Sequence, residues 1–438
     1  MQHNRRCPWL VSVVCFAALG ACSSNSVSSG TPKLSTAPPS GDSSTSSSVA
    51  VTTTEPSELG STFDSDIVHT FAIEYAAADF DDMVAKLNSS GSNEWIEATV
   101  TIDGSVFQHA GIRLKGTLEA GDTATLATPE ALPWYVRLDK YVDNQALDGY
   151  ADFVVRTSNS QTALNEALAL QLLGRAGLKT QRAMSVKFSV NGGAQSLRLV
   201  IEGLNKAWET TNFDRSALLY KAEKGGDYSY RGTDPAAYAN AFKQEAGKKS
   251  MLALIGFLDF VNNSTDADFA ANIAARIDLQ ALATYLALED LMQNYDDLDG
   301  PGNNSYLSYD VTTKRFTVVA WDHNFAFRGA DKVMNKLFSA DNIPPGFDPN
   351  QMTPQTFDAA IKAVSEKNPL VTRVKKLPEF TKMYDSARAE LLAKLFTSGI
   401  AEKDLRTWAA VLTDGASDLV DAATVTKDVD KILATFPS

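Results

Sequence analysis

The chain is nearly empty of cysteine. Its 438 residues include three, Cys7, Cys15 and Cys22, all at the N-terminal end. Everything after residue 22 therefore lacks disulfides, thiolate nucleophiles and cysteine-based metal sites. Histidine is nearly as scarce: beyond His3 there are only His69, His109 and His323. A Ser-His-Asp site would have to rest on one of these, and no Gly-x-Ser-x-Gly elbow accompanies them. No His-x-x-x-His pair offers a zinc site, so His323 reads as a local hydrogen-bonding partner. No Walker A sequence occurs, and no Gly-x-Gly-x-x-Gly opens a helix. Basic excess is absent too. Lys and Arg number 40 against 53 Asp and Glu, a formal net charge of −13. Nucleic acid is excluded as the main partner, because phosphate binding needs clustered cations.

What is present is ordinary globular composition, 44% hydrophobic and 21% charged. The length gives room for one large domain or two lobes. Arg5 and Arg6 precede an apolar run, Trp9 to Leu19, that is too short to span a bilayer securely. It ends Leu19-Gly20-Ala21-Cys22, the pattern of a bacterial lipobox, in which the Cys becomes the acylated first residue. Residues 1–22 are thus expected to be a lipoprotein signal peptide. Residues 23–61, rich in Ser, Thr, Pro and Gly, form a disordered tether. Residues 62–438 form the folded domain. The expected location is outside the cytoplasm, in the periplasm or at the cell surface, with the lipid at Cys22 holding the chain to a membrane.

Regular patterning begins near Asp66. Phe71, Ile73 and Tyr75 alternate as in a strand. Asp79 to Leu87 reads as a short helix. Ile96 to Ile102 and Val106 to Leu114 flank Asp103-Gly104, a type I′ hairpin signal. Pro133 to Asp139 reads as another strand. Ser158-Asn159-Ser160 can cap a helix whose apolar face is Leu164, Leu168 and Leu172, with Gly177 to end it. Met184, Val186, Phe188 and Val190 alternate up to Asn191-Gly192, and Leu197 to Ile201 returns. Leu218 to Ala222 is a short strand bearing Lys221. Asp278 caps a helix to about Gln293. Strands at Tyr306 to Tyr309 and Phe316 to Ala320 follow, and helix is expected from about Thr353. A β-rich first half and a mostly helical second half indicate an α+β protein of two lobes.

The densest polar cluster runs from Asn294 to Asn304 and holds Asp296, Asp297 and Asp299. Shortly after it, the apolar strand Thr317 to Ala320 leads into Trp321-Asp322. A carboxylate at the end of a buried strand, with an amide or carboxylate from a nearby loop, gives the oxygen ligands that Mg²⁺ prefers. Phosphoryl transfer needs few further parts: a positioning Asp for the acceptor hydroxyl, and a cation on the phosphates. The same residues also suit an ordinary surface turn. An EF-hand fails, because Tyr295 and Tyr306 would take its first and last ligand positions.

These segments resemble the CotH family, the spore-coat-protein-H-like atypical protein kinases, over roughly Ile67 to Leu395. Gly111-Ile112-Arg113-Leu114-Lys115-Gly116 is similar to the family's Gly-x-Arg-x-Lys-Gly stretch. Leu132 to Asp139, the Asn165-Glu166 helix, Val200-Ile201-Glu202 and Leu219-Tyr220-Lys221 follow in order. Asn294 to Leu307 resembles the Asn-x-Asp … Asn-Asn-x-Tyr-Leu signature, and Trp321-Asp322 the Trp-Asp-x-Asp motif. The resemblance implies a two-lobed kinase-like fold with an ATP cleft, dependent on Mg²⁺ or Mn²⁺ and acting on Ser or Thr hydroxyls of secreted or envelope proteins. By position, Asp296 matches the catalytic Asp, Asp322 the metal-binding Asp, and Asn304 a metal-binding Asn, with Asn303 the alternative. Lys221 is the candidate for the nucleotide phosphates. Its acidic partner is Glu245 on a following helix, with Glu202 and Glu166 open. Arg113, Lys115 and Arg137 either line the cleft or brace the N-terminal lobe. Asn324 stands where the motif has its second Asp, which would weaken any metal bound there. Two alternatives share this fold: a non-catalytic surface or binding lipoprotein, and transfer of another group such as AMP or an amino acid.

Overall fold

The computed structural model describes residues 61–115, 128–157, 160–213, 217–223, 226–294, 296–300, 303–327 and 368–437. The signal peptide, Cys22 and nearly all of the tether lie outside these residues, as do Ser158 and Asn159. No described helix is long and apolar enough to cross a membrane.

Eleven strands are described: β1 (Val68–Glu74), β2 (Ile96–Ile102), β3 (Ser105–Leu114), β4 (Trp134–Arg137), β5 (Asp152–Val155), β6 (Ala183–Val190), β7 (Ser196–Glu202), β8 (Ala217–Ala222), β9 (Phe242–Ala246), β10 (Ser305–Asp310) and β11 (Arg315–Ala320). The α-helices are α1 (Ala77–Ser90), α2 (Leu164–Arg175), α3 (Lys206–Asn212), α4 (Leu252–Asn263), α5 (Asp266–Asn272), α6 (Leu279–Leu291), α7 (Pro369–Val374), α8 (Pro378–Leu391), α9 (Ile400–Gly415) and α10 (Ala422–Leu433). The mixed α+β class matches the sequence reading. The closed barrel does not follow from it.

Seven strands close that barrel in the order β1-β2-β3-β4-β5-β7-β6. Two of its hairpins turn where the residues allow. Asp103 and Gly104 have φ of 47° and 81°, and Asn191 and Gly192 have 49° and 68°. Positive φ at both central positions is what a type I′ turn requires. Closure comes from the parallel pairing of β1 with β6, Val68 opposite Ser185 through Ile73 opposite Val190. Phe71, Trp134, Phe153 and Phe188 fill the interior, which is packed side chain.

A polar lock fastens β1 to the β2–β3 turn. The buried His69 shares a hydrogen bond with Asp103 Oδ2 through Nδ1 at 2.6 Å and meets the Asp64 carbonyl through Nε2 at 2.8 Å. Burial opposes charge on His69, but Asp103 and Asp64 outweigh it and raise the imidazole above its ordinary value. Burial also opposes charge on Asp103, yet His69 and Thr70 lower its carboxyl. A raised folded value means the His69 contribution is complete below its unfolded value, about 6.5, and is lost as pH rises through the folded one. The Asp103 contribution is complete above about 3.9 and fades in acid. The urea midpoint is therefore expected to fall as pH rises from 6 towards 9. In Asp103→Asn this slope should flatten.

Strand alternation gives the barrel two covered faces on one side. Phe153 and Val155 belong to its interior, whereas Val154, Ala183, Leu199 and Ile201 join the second core with α2. The helix α2 is accordingly buried almost all round, against the barrel on one side and α9 and α10 on the other. A second, four-stranded antiparallel sheet follows, in the order β11-β10-β8-β9. Asp278 caps α6 by accepting from the Ala281 amide at 3.1 Å, as its sequence indicates.

Candidate active site

The β10–β11 hairpin sets the site. Ser305 pairs with Ala320, so Asn304 and the Trp321-Asp322 pair leave the same open end of the hairpin. Neighbouring strands lie only about 4.8 Å apart. The Asn304 Nδ2 donates to the Asp296 carbonyl at 2.7 Å, which ties the Asp296 loop to that end. Thus Asp296, Asn304 and Asp322 gather at one place, and both Asp296 and Asn304 are buried. Asp322 adopts φ of 68°. Asp is one of the few non-glycine residues found readily in this left-handed region.

The barrel faces this end with cations. Arg156 follows Val155, so alternation turns it outward onto α2. Its buried guanidinium donates from Nε to Glu166 Oε1 at 2.9 Å and from Nη2 to Asp322 Oδ1. Burial opposes the Arg156 charge, but Asp322 and Glu166 hold it above its ordinary range. At Glu166 burial wins and raises the carboxyl. Glu166 Oε2 is buried with no hydrogen bond from the described residues.

Arg113 and Lys115 alternate with Ile112 and Leu114, which fill the barrel, so both also point outward. Arg113 lies 5.0 Å from the Trp95 ring and 5.1 Å from Tyr135. The Lys115 amine lies 4.6 Å from Trp321 and 5.7 Å from Tyr135. Among the described residues neither forms an ion pair. Burial, then Lys221 and Arg113, hold the Lys115 amine well below its ordinary value, with Glu245 opposing.

The Lys221–Glu245 pairing expected from the sequence is not what the structure shows. Glu245 lies on β9, not on a helix, and accepts from Lys243 Nζ at 2.9 Å. Lys221 Nζ donates to Glu223 Oε2 at 2.9 Å. Phe242-Lys243-Gln244-Glu245-Ala246 has strong helix formers, but antiparallel pairing with β8 overrides them. Both residues still act on Lys115 electrostatically. Glu202 accepts from the Arg182 amide at 3.2 Å, and Arg137 pairs with Asp139 at 2.6 Å. Arg156 is the residue that sequence reasoning missed. Its signal is a single Arg ending the apolar run Phe153-Val154-Val155.

Behind the site, His323 Nε2 donates to Glu289 Oε1 at 2.8 Å. Burial alone would lower this imidazole, but Glu289, with Glu166 and Asp322, raises it. Asp297 is buried beside Glu289, Asp299 and Asp290, and its carboxyl is pushed well above the usual range.

The model of the CotH kinase protein family matches residues 112–424. The chain belongs to the CotH kinase family. That match spans every site residue named above, from Arg113 to Asp322. The crystal structure of a Helicobacter pylori proinflammatory kinase CtkA is similar at 10% identity, covering 62% of this chain and 94% of that one with a TM-score of 0.26. A likeness that weak assigns no residue. No curated protein matches the sequence.

Proposed function

We propose that this CotH family member transfers the γ-phosphoryl group of ATP to Ser or Thr hydroxyls of secreted or envelope proteins, with Mg²⁺ or Mn²⁺ as cofactor. The observation that carries this reading is the Arg156 guanidinium bridging Glu166 and Asp322. Protein kinases hold a strand cation against a helix carboxylate beside the metal-binding Asp. Here Arg156 takes the part first assigned to Lys221, and Glu166, one of the open alternatives, becomes its acidic partner. Arg113 adds charge that forms no ion pair among the described residues, and Lys115, whose charge burial disfavours, would regain it beside a polyphosphate. In this reading the barrel is one lobe, the β8–β11 sheet with its helices is the other, and their facing residues line the ATP cleft.

Asp322 and Asn304 fit a hard cation. With its Nδ2 committed to the Asp296 carbonyl, the Asn304 amide has Oδ1 to offer, which accepts from Asn303 Nδ2 at 3.3 Å and keeps a second lone pair for a cation. Among the described residues no three His, Cys, Asp or Glu side chains form a metal cage. Mg²⁺ commonly needs only one or two protein carboxylates, because phosphates and water complete its shell. Bound there, it would neutralise charge on the transferring phosphoryl group. Asp296 would accept or orient the acceptor hydroxyl proton. The lipid at Cys22 would place this chemistry outside the cytoplasm, on a membrane.

The test is intact-mass analysis of an exported acceptor protein incubated with ATP and Mn²⁺. A metal-dependent gain of one phosphoryl group on Ser or Thr supports the reading. Gain of AMP, or no gain together with no nucleotide binding at millimolar ATP, overturns it.

A further inference from the structure

Beneath the two loops that carry Asp296 and Asp322 runs a buried chain of three polar side chains. Glu289, His323 and Asn294 are 1%, 0% and 3% exposed. Glu289, near the end of α6, uses both carboxylate oxygens. Its Oε1 accepts from His323 Nε2 at 2.8 Å, and its Oε2 accepts from Asn294 Nδ2 at 2.7 Å. The Asn294 amide also donates to the Glu289 carbonyl, at 3.0 Å. Asn294 stands two residues before Asp296, and His323 directly follows Asp322. One carboxylate therefore grips both loops.

A buried carboxylate is costly unless its partners are well placed, and an apolar side chain of similar size would often be as stable. Both loops carry a residue in the left-handed region, Asp322 with φ of 68° and Gln293 with φ of 52°, and for Gln this conformation is costly. Such conformations persist only where the surroundings impose them. The Asp322 segment is held from its other side as well. Asn165, beside Glu166 on α2, donates from Nδ2 to the carbonyls of Asn324 and Ala326 at 2.9 and 3.1 Å. The Phe327 amide donates to the Met292 carbonyl at 2.8 Å.

We propose that Glu289 is a positioning residue for phosphoryl transfer, fixing the loop of Asp296 against the loop of Asp322 through its two carboxylate oxygens. The proposal rests on reading those two Asp residues as the catalytic and metal positions. It goes beyond that reading by naming what sets their separation.

Glu289→Gln tests it, because an amide has the same shape but can accept only one of the two hydrogen bonds. The expected result is a fall in kcat of roughly 10- to 100-fold with the KM for ATP within about threefold. In an Asp296→Ala background the same change should cost nothing further, since the two act as a unit. A lower melting temperature with unchanged kcat, measured where the variant is fully folded, overturns the proposal. Hydrogen exchange provides a readout that needs no activity. In Glu289→Gln the amides of Asn294, Ala326 and Phe327 should exchange faster together while the α6 amides stay protected. Unchanged exchange, or loosening of one loop alone, overturns the proposal. Wild-type protein that transfers no phosphoryl group instead counts against the functional reading, and exchange then still decides the role of Glu289.

Discussion

Asp322→Asn should lower kcat for phosphoryl transfer by about 10³-fold or more, while leaving the melting temperature within a few degrees of wild type. The amide keeps one oxygen for the Arg156 guanidinium, which donates to Asp322 Oδ1. What is lost is the negative charge that a divalent cation needs. Preorganised charge of this kind supplies a large share of transition-state stabilisation, and removal of one such group costs about 10²- to 10³-fold even in milder cases. Asp296→Ala should also be severe, about 10²- to 10⁴-fold, but for a different reason: its proposed partner is the acceptor hydroxyl. The two variants therefore separate in a Mn²⁺ titration. Mn²⁺ should no longer tighten ATP binding to Asp322→Asn by calorimetry, whereas Asp296→Ala should bind ATP and Mn²⁺ nearly as wild type does. Equal metal dependence in both variants would contradict the division of roles.

Arg156→Leu should be the most destabilising single change at the site, costing about 3–5 kcal/mol in urea or thermal unfolding. Removing one partner of a buried pair leaves the other charge stranded. Glu166 is that partner, and its Oε2 already lacks a hydrogen bond from the described residues. The loss should deepen as pH rises. The Glu166 carboxyl is already raised by burial, and without Arg156 it rises further. A group that holds its proton more tightly when folded loses stability above its unfolded value, about 4.3. Arg156→Lys should recover most of the stability, but a single ammonium lacks the planar fork that reaches both carboxylates. Its KM for ATP is expected to rise roughly tenfold. An Arg156→Leu protein that is as stable and as active as wild type would remove Arg156 from the account.

The parts of this molecule legible in its sequence are those written in short stretches. Asp103-Gly104 and Asn191-Gly192 announce their hairpins because few other residues accept positive φ there. Asp278 announces α6 because an Asx side chain caps an exposed amide. Barrel closure was not legible. It depends on β1 finding β6 more than a hundred residues later, and neither strand carries a mark of its partner. Glu245 was misplaced because local helix preference loses to sheet pairing.

The site divides in the same way. Asp296, Asn304 and Asp322 sit in recognisable turns and strand ends, and the register of β10 with β11 brings Asn304 and Asp322 to one end. Lys221 is paired with Glu223. The cation paired with both Glu166 and Asp322 is Arg156, which α2 and the Asp322 segment meet from elsewhere in the chain. A residue whose role is created by three separate segments leaves little trace in any one of them.

The most direct measurement is a crystal structure with a non-hydrolysable ATP analogue and Mn²⁺, with the metal located by its anomalous scattering. The account predicts Mn²⁺ coordinated by Asp322 and Asn304, with the triphosphate against Arg156 and Lys115. Mn²⁺ bound to other side chains, or a nucleotide held away from Arg156, would contradict it.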